Sequence, residues 1–169
     1  MKIAYKHLVD RIPSSPSIED ISNKLFQLGH EHEIENKIFD LEITPNRGDC
    51  LSVNGILRDL AVFYSIKGID EIYMNNIPLF DIEFTNNALD ACPTITFLKI
   101  EIDSNEISDY SDGLKSYFDE MGVNKNNFFT DVSNYISYET GQPTHVYDLS
   151  RLGNKLSLEY SEDKATFTS

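Results

Sequence analysis

Two short stretches hold most of the side chains that could do chemistry. The first is Asp131-Val132-Ser133-Asn134-Tyr135, running on to Gly141-Gln142-Pro143-Thr144-His145. An imidazole at His145 can hold a water or donate to a carbonyl oxygen. Gln142, Thr144, Ser133 and Asn134 supply polar groups close to it in sequence. No serine or cysteine lies near in a nucleophile-elbow context, so covalent acyl transfer is not indicated. A histidine held in a purely structural role fits the spacing at least as well. The second stretch is Thr44-Pro45-Asn46-Arg47-Gly48-Asp49-Cys50-Leu51-Ser52. Here Arg47 could act as a fork for phosphate or carboxylate, or could lock the turn by bonding backbone carbonyls; the second is the commoner use. Arg-Gly-Asp within it is also an adhesion tripeptide, but it heads a helix here and is treated as coincidence.

Other candidates are weaker. His30 and His32 stand two apart between glutamates, and a metal site would need more ligands, so they are expected to face solvent. Cys50 and Cys92 have no metal-ligand spacing and suit a reducing cytosol. No metal is assigned to any of these residues.

The chain has 169 residues, with 40% hydrophobic and 25% charged, values ordinary for a globular protein. Fourteen Lys plus Arg against 28 Asp plus Glu give a net charge of −14. A body this acidic repels phosphate backbones, so contact with RNA needs a local basic patch or a basic partner, and DNA is not expected. No apolar run is long enough to span a bilayer, and the first residues lack the form of a secretory signal.

The elements that must position these groups follow from periodicity. Lys2–Leu8 reads as a strand. Ser17 caps a helix carrying Ile18, Ile21, Leu25 and Leu28, and Gly29 stops it. Phe39–Thr44 alternates as a half-buried strand and runs into the Pro45–Asp49 turn. Asp49 or Ser52 then caps a helix with Val53, Ile56, Leu57, Leu60 and Tyr64 on one face. Residues 67–78 read as a connector. Strands are expected at Leu79–Phe84, Thr94–Ile102, His145–Leu149 and Lys155–Tyr160. Helices are expected at Ser111–Met121, ended by Gly122, and at Val132–Glu139, capped by Asp131 or Ser133 and ended by Gly141. Both element types without strict alternation indicate α+β. The chain closes on Ala165-Thr166-Phe167-Thr168-Ser169, which reads as a strand just begun.

Together the two stretches resemble a known family. "LEITPNRGDCLSVNGILRDLA" at 41–61 and "DVSNYISYETGQPTHVYDLSRL" at 131–152 resemble segments of the β subunit of bacterial phenylalanyl-tRNA synthetase. The opening residues, with their helix ending in Leu28-Gly29, and "DACPTIT" at 90–96 are similar to further segments in the same order. The chain departs from the pattern in three ways. Gly48 stands where the family usually has proline, Thr94-Ile95 where it has Arg-Tyr, and Ile34–Phe39 runs directly where an oligonucleotide-binding insertion would sit.

The resemblance implies a small helix-rich N-terminal core domain at 1–75. It implies a mixed α/β editing-domain segment, incomplete, at 76–169. It implies an enzyme joining phenylalanine to tRNA(Phe) with ATP and magnesium, cytoplasmic, with an α subunit as partner. No cofactor is expected in this chain, and the chain alone is expected to be inactive. Editing has a physical reason: an apolar pocket rejects an added hydroxyl by only about a hundredfold, while accuracy needs roughly ten-thousand-fold, so Tyr-tRNA(Phe) must be removed at a second site. By resemblance, His145 and Asn134 line that editing pocket, with Ser133, Gly141, Gln142 and Pro143 around the substrate. Pro45, Asn46, Arg47 and Asp49 form a structural motif. A non-catalytic interaction module derived from the same subunit is the alternative.

Overall fold

The computed structural model describes residues 1–66, 78–102 and 112–161. The architecture is α+β, in two compact units that are not consecutive in sequence. The described part of the first is 1–66 with 112–146, and of the second 78–102 with 147–161. The expected division after residue 75 lies outside the described residues, as does nearly all of the 67–78 connector and the stretch 165–169.

The first unit begins with strand β1 (Lys2–Ala4) and the short helix α1 (Tyr5–Val9). The strand expected to continue to Leu8 therefore turns helical after Ala4; His7 and Leu8 become the buried face of α1. Helix α2 (Ile18–Gln27) starts where expected, with the Ser17 hydroxyl accepting from the Asp20 amide at 3.2 Å. A hairpin follows: β2 (Glu31–Glu35) and β3 (Ile38–Glu42), joined by Asn36 and Lys37 with φ of 51° and 65°. Two central residues in the left-handed region make the turn whose twist matches a hairpin. The three strands form an antiparallel sheet in the order β1-β3-β2, with Ile3 and Ile34 both opposite Phe39.

Helix α3 (Val53–Leu60) packs its apolar stripe on this sheet; Ile3, Phe39, Leu25, Val53, Ile56 and Leu60 are fully enclosed. Ser52 caps it by accepting from the Gly55 amide at 2.9 Å. A Cβ at position 55 would meet the Asp49 carbonyl oxygen at 2.1 Å, so this close approach of helix and turn requires glycine.

Helices α4 (Asp112–Met121) and α5 (Phe128–Thr140) complete the unit. Helix α5 begins earlier than expected. Asn127 caps it by accepting from the Thr130 amide, while Asp131 is buried one turn inside and accepts from the Asn126 amide. Phe118, Tyr117 and Met121 build a second core against Ala4. A buried polar seam runs beside it. The His7 ring stacks on Tyr117 at 4.0 Å, its Nε2 lies 3.2 Å from Glu120, and Arg11 lies 2.7 Å from the enclosed Glu139.

The second unit holds β4 (Glu83–Asn86) and β5 (Lys155–Leu158), paired in parallel from Glu83↔Lys155 to Asn86↔Leu158. The strand expected at Leu79–Phe84 thus sits further along the chain. Thr94–Ile102, expected as a strand, joins no ladder among the described residues, and His145–Leu149 is irregular, leading into a 3-10 turn at Leu149–Arg151. Phe97 packs edge-on against Phe84 at 4.9 Å.

Candidate functional site

The first unit brings the two chemistry-bearing stretches together. Helix α5 ends at Gly141 with φ of 75°, a conformation that releases the chain at no steric cost. A Cβ there would lie 3.5 Å from that of Ser52, so the Gly141 corner rests on the residue that caps α3. Polar bonds then fix the returning chain. The Ser133 hydroxyl donates to the Thr144 carbonyl at 2.5 Å, and the Thr144 hydroxyl donates to the Ser133 carbonyl at 3.2 Å. The Ser137 hydroxyl donates to the Gln142 carbonyl, and the Gln142 amide donates to Thr140. Pro143 lacks the amide that would continue the helix.

This anchoring sets the next residue on each side of the corner. Asn134 follows the pinned Ser133 and lines a shallow recess of about 320 Å³ with Met1, Leu51, Ser137 and Tyr138. His145 follows the pinned Thr144 and is exposed; it is not among the residues lining that recess. The hydroxyl proton of Ser133 is spent on the main chain. Gly141, Gln142 and Pro143 are exposed and shape the bend.

The other stretch builds an ion cluster. Pro45–Cys50 forms a 3-10 turn kinked at Arg47, with Asn46 in its first part. Arg47 does not bond backbone carbonyls through its guanidinium, as its position in a turn led us to expect. It forks onto Asp49 at 3.1 and 3.2 Å and reaches Asp59 at 2.5 Å and the Cys50 sulfur at 2.8 Å. Two carboxylates within reach of one guanidinium outbid neutral carbonyls, because charge-assisted bonds are the stronger. Arg58 bonds both Asp49 and Asp59. His30, expected to face solvent, is instead enclosed, 4% exposed, with Nε2 at 3.0 Å from Asp59. His32 is half-buried and lies 2.8 Å from the Ser22 hydroxyl.

The electrostatics follow. Burial opposes the charge on Asp59, but bonds from Arg47, His30, Arg58 and Cys50 outweigh it and hold the carboxyl at about 2. Asp49, bonded first by Arg47, also stands at about 2. Burial and the neighbouring Asp59 push the Cys50 thiol up to about 11, which makes it a poor nucleophile. His30, Cys50 and Asp59 place one nitrogen, one sulfur and one oxygen within 4.8 Å of one another. The Arg47 guanidinium already supplies the positive charge that this donor set would ask of an ion.

Asp59, Arg58 and His30 were not singled out from sequence. The first two lie inside the 41–61 stretch, where they read as the polar flank of an amphipathic helix. His30 is separated from Asp59 by 29 residues, and no local pattern joins them.

Comparison with known proteins bears on what this scaffold is. A family described as the B3/4 domain matches residues 91–169. The phenylalanine–tRNA ligase β subunit of Rickettsia felis is 40% identical over 131 residues, 74% of this chain and 15% of that protein. The chain belongs to the phenylalanine–tRNA ligase β-subunit family. Two further members of that family show the breadth of the match. The β subunit of Psychrobacter arcticus is 31% identical over 80% of this chain and 17% of its own length. That of Rhodopirellula baltica is 30% identical over 90% of the chain and 24% of its own length. The chain spans less than a quarter of these β subunits' lengths. No helix among the described residues is long and apolar enough to cross a membrane.

Proposed function

We propose that this chain serves the ATP-dependent joining of phenylalanine to tRNA(Phe), as part of a β subunit acting with an α subunit in the cytoplasm. We further propose that its Asn134–His145 corner contributes to a pocket that clears Tyr-tRNA(Phe). The observation that supports this best is the double bond between Ser133 and Thr144, which holds the two neighbouring residues at a fixed bend seated on Ser52. In this reading the Asn134 amide orients the ester or ribose of the tRNA end, since it can both donate and accept. The His145 imidazole holds the attacking water. Gly141, Gln142 and Pro143 shape the floor of the bend. Asp49 and Asp59, the carboxylates that a magnesium ion would ask for, are taken by Arg47 and Arg58. They do not fit a magnesium–nucleotide site, and no step is assigned to one here.

The test is hydrolysis of Tyr-tRNA(Phe) by the chain, alone and mixed with the α subunit. Release of tyrosine above background that falls at least tenfold in His145→Ala and Asn134→Ala supports the reading. Equal release from wild type and both variants sinks it.

A second reading, docking without catalysis, is favoured by exposed apolar groups on the first unit: Leu51 is 51% and Val62 75% exposed. Co-purification with the α subunit that is lost in Val62→Asp, with no tyrosine release, selects this reading.

A further inference from the structure

The second unit carries a stretch that its fold does not use. Residues 94–102 read Thr-Ile-Thr-Phe-Leu-Lys-Ile-Glu-Ile, a composition that favours strands. Yet among the described residues none of their backbone groups enters a backbone–backbone hydrogen bond. Phe97 turns towards Phe84. Lys99 Nζ lies 2.9 Å from the Glu101 carboxylate, so these side chains, two residues apart, share a face, as an extended chain requires. Leu98, Ile100 and Ile102 are then left on the opposite face, 61%, 67% and 44% exposed. Unpaired polar backbone beside an exposed apolar row is an arrangement that natural edges hide.

The order of residues says what would hide it. Leu98-Lys99-Ile100-Glu101-Ile102 is symmetric about Ile100 in hydrophobicity and inverts in charge. An antiparallel second copy centred on Ile100 sets each Lys99 opposite the other copy's Glu101. It also sets Leu98 opposite Ile102, and Ile100 opposite itself. Opposite charges and apolar pairs directly across a ladder are favourable, and like charges are not. A shift of two residues either way brings Lys99 onto Lys99 or Glu101 onto Glu101. A shift of one brings charge onto isoleucine. Parallel in-register pairing sets each charge on its like. One register alone satisfies every position.

We infer that residues 94–102 are a self-pairing edge, through which two copies of this chain join as a two-fold antiparallel dimer centred on Ile100. Such an interface is isologous, so each favourable pair occurs twice. The net charge of −14 on each copy opposes association, which makes the dimer a weak one.

Sedimentation equilibrium of the full chain, from about 10 to 300 µM at moderate salt, reads this directly. The expected result is a mass rising towards the dimer with concentration. Lys99→Glu and Glu101→Lys should each weaken dimerisation about tenfold, and the double exchange should restore it to within about threefold of wild type. Both positions are exposed, and circular dichroism checks that the fold survives. A chain that stays monomeric across the range overturns the inference. So does a dimer indifferent to both exchanges, or one that the double exchange leaves as weak as the singles. A monomer that instead captures the α subunit through 94–102 also overturns it, and gives the edge to a different partner.

Discussion

The two units use similar amounts of β structure to very different effect. In the first, three antiparallel strands are covered by α2 and α3, and a dozen apolar side chains are lost to solvent. In the second, two parallel strands carry alternating half-buried residues, and Ala88 is the one buried hydrophobic among the described residues. Parallel strands ordinarily need both faces covered. The second unit has Leu79 at 99% exposure and an open apolar groove of about 480 Å³ beside Phe97 and Leu149. Strand pairing alone does not make a core; what lies across the faces does.

The largest expected effect tests that contrast. Phe39→Ala should cost about 3–5 kcal/mol in urea unfolding, because an enclosed ring leaves a cavity. Gly55→Ala should cost about 1–3 kcal/mol, since the new methyl has a main-chain oxygen in its place and α3 must lift from the turn. Asp59→Asn should cost about 1–3 kcal/mol by weakening charge-assisted bonds. It should also flatten the acid limb of stability. With its folded carboxyl at about 2 against an ordinary 3.8, Asp59 contributes fully above 3.8 and loses that contribution as pH falls towards 2.

A smaller pH effect belongs to His7. Burial lowers its pKa below the ordinary 6.5, although Glu120 and Glu139 pull the other way and Arg11 and Lys6 assist burial. Its contribution is whole above 6.5 and fades as pH drops below, so unfolding midpoints should fall between pH 7.5 and 5.5, and less so in His7→Gln. Smallest is Leu79→Ala, expected within about 0.5 kcal/mol of wild type. A loss near that of Phe39→Ala would show that the second unit has a core after all.

Legibility followed the same divide. Helix α2 and α3 announced themselves through Ser17 and Ser52 caps and clean apolar stripes, and Gly141 marked the end of α5. The hairpin strand Glu31–Glu35 did not, because it is mostly polar and its Asn36-Lys37 turn lacks the usual glycine. Helix α1 hid because Tyr5–Val9 carries the same alternation a strand would. In the second unit β-rich Thr94–Ile102 reads as a strand from propensity, but a ladder needs a neighbour, and propensity does not provide one. The site divided likewise. The Gly141–His145 bend and the Arg47 turn are local patterns, legible as such. That Arg47 meets Asp59 and His30 is a long-range fact, decided by how α2, α3 and the turn pack.

The pairing of Glu83 with Lys155 spans 72 positions of chain. During synthesis at about 5–20 residues per second, β4 leaves the ribosome roughly 4–14 s before its mate exists. In that interval α4 and α5 emerge and have their own destination in the first unit. The nascent β4 must wait, solvated and unpaired, while its later neighbours fold. Chaperones that survey emerging polypeptides meet it in that interval, and the order of translation becomes part of how this small sheet is made.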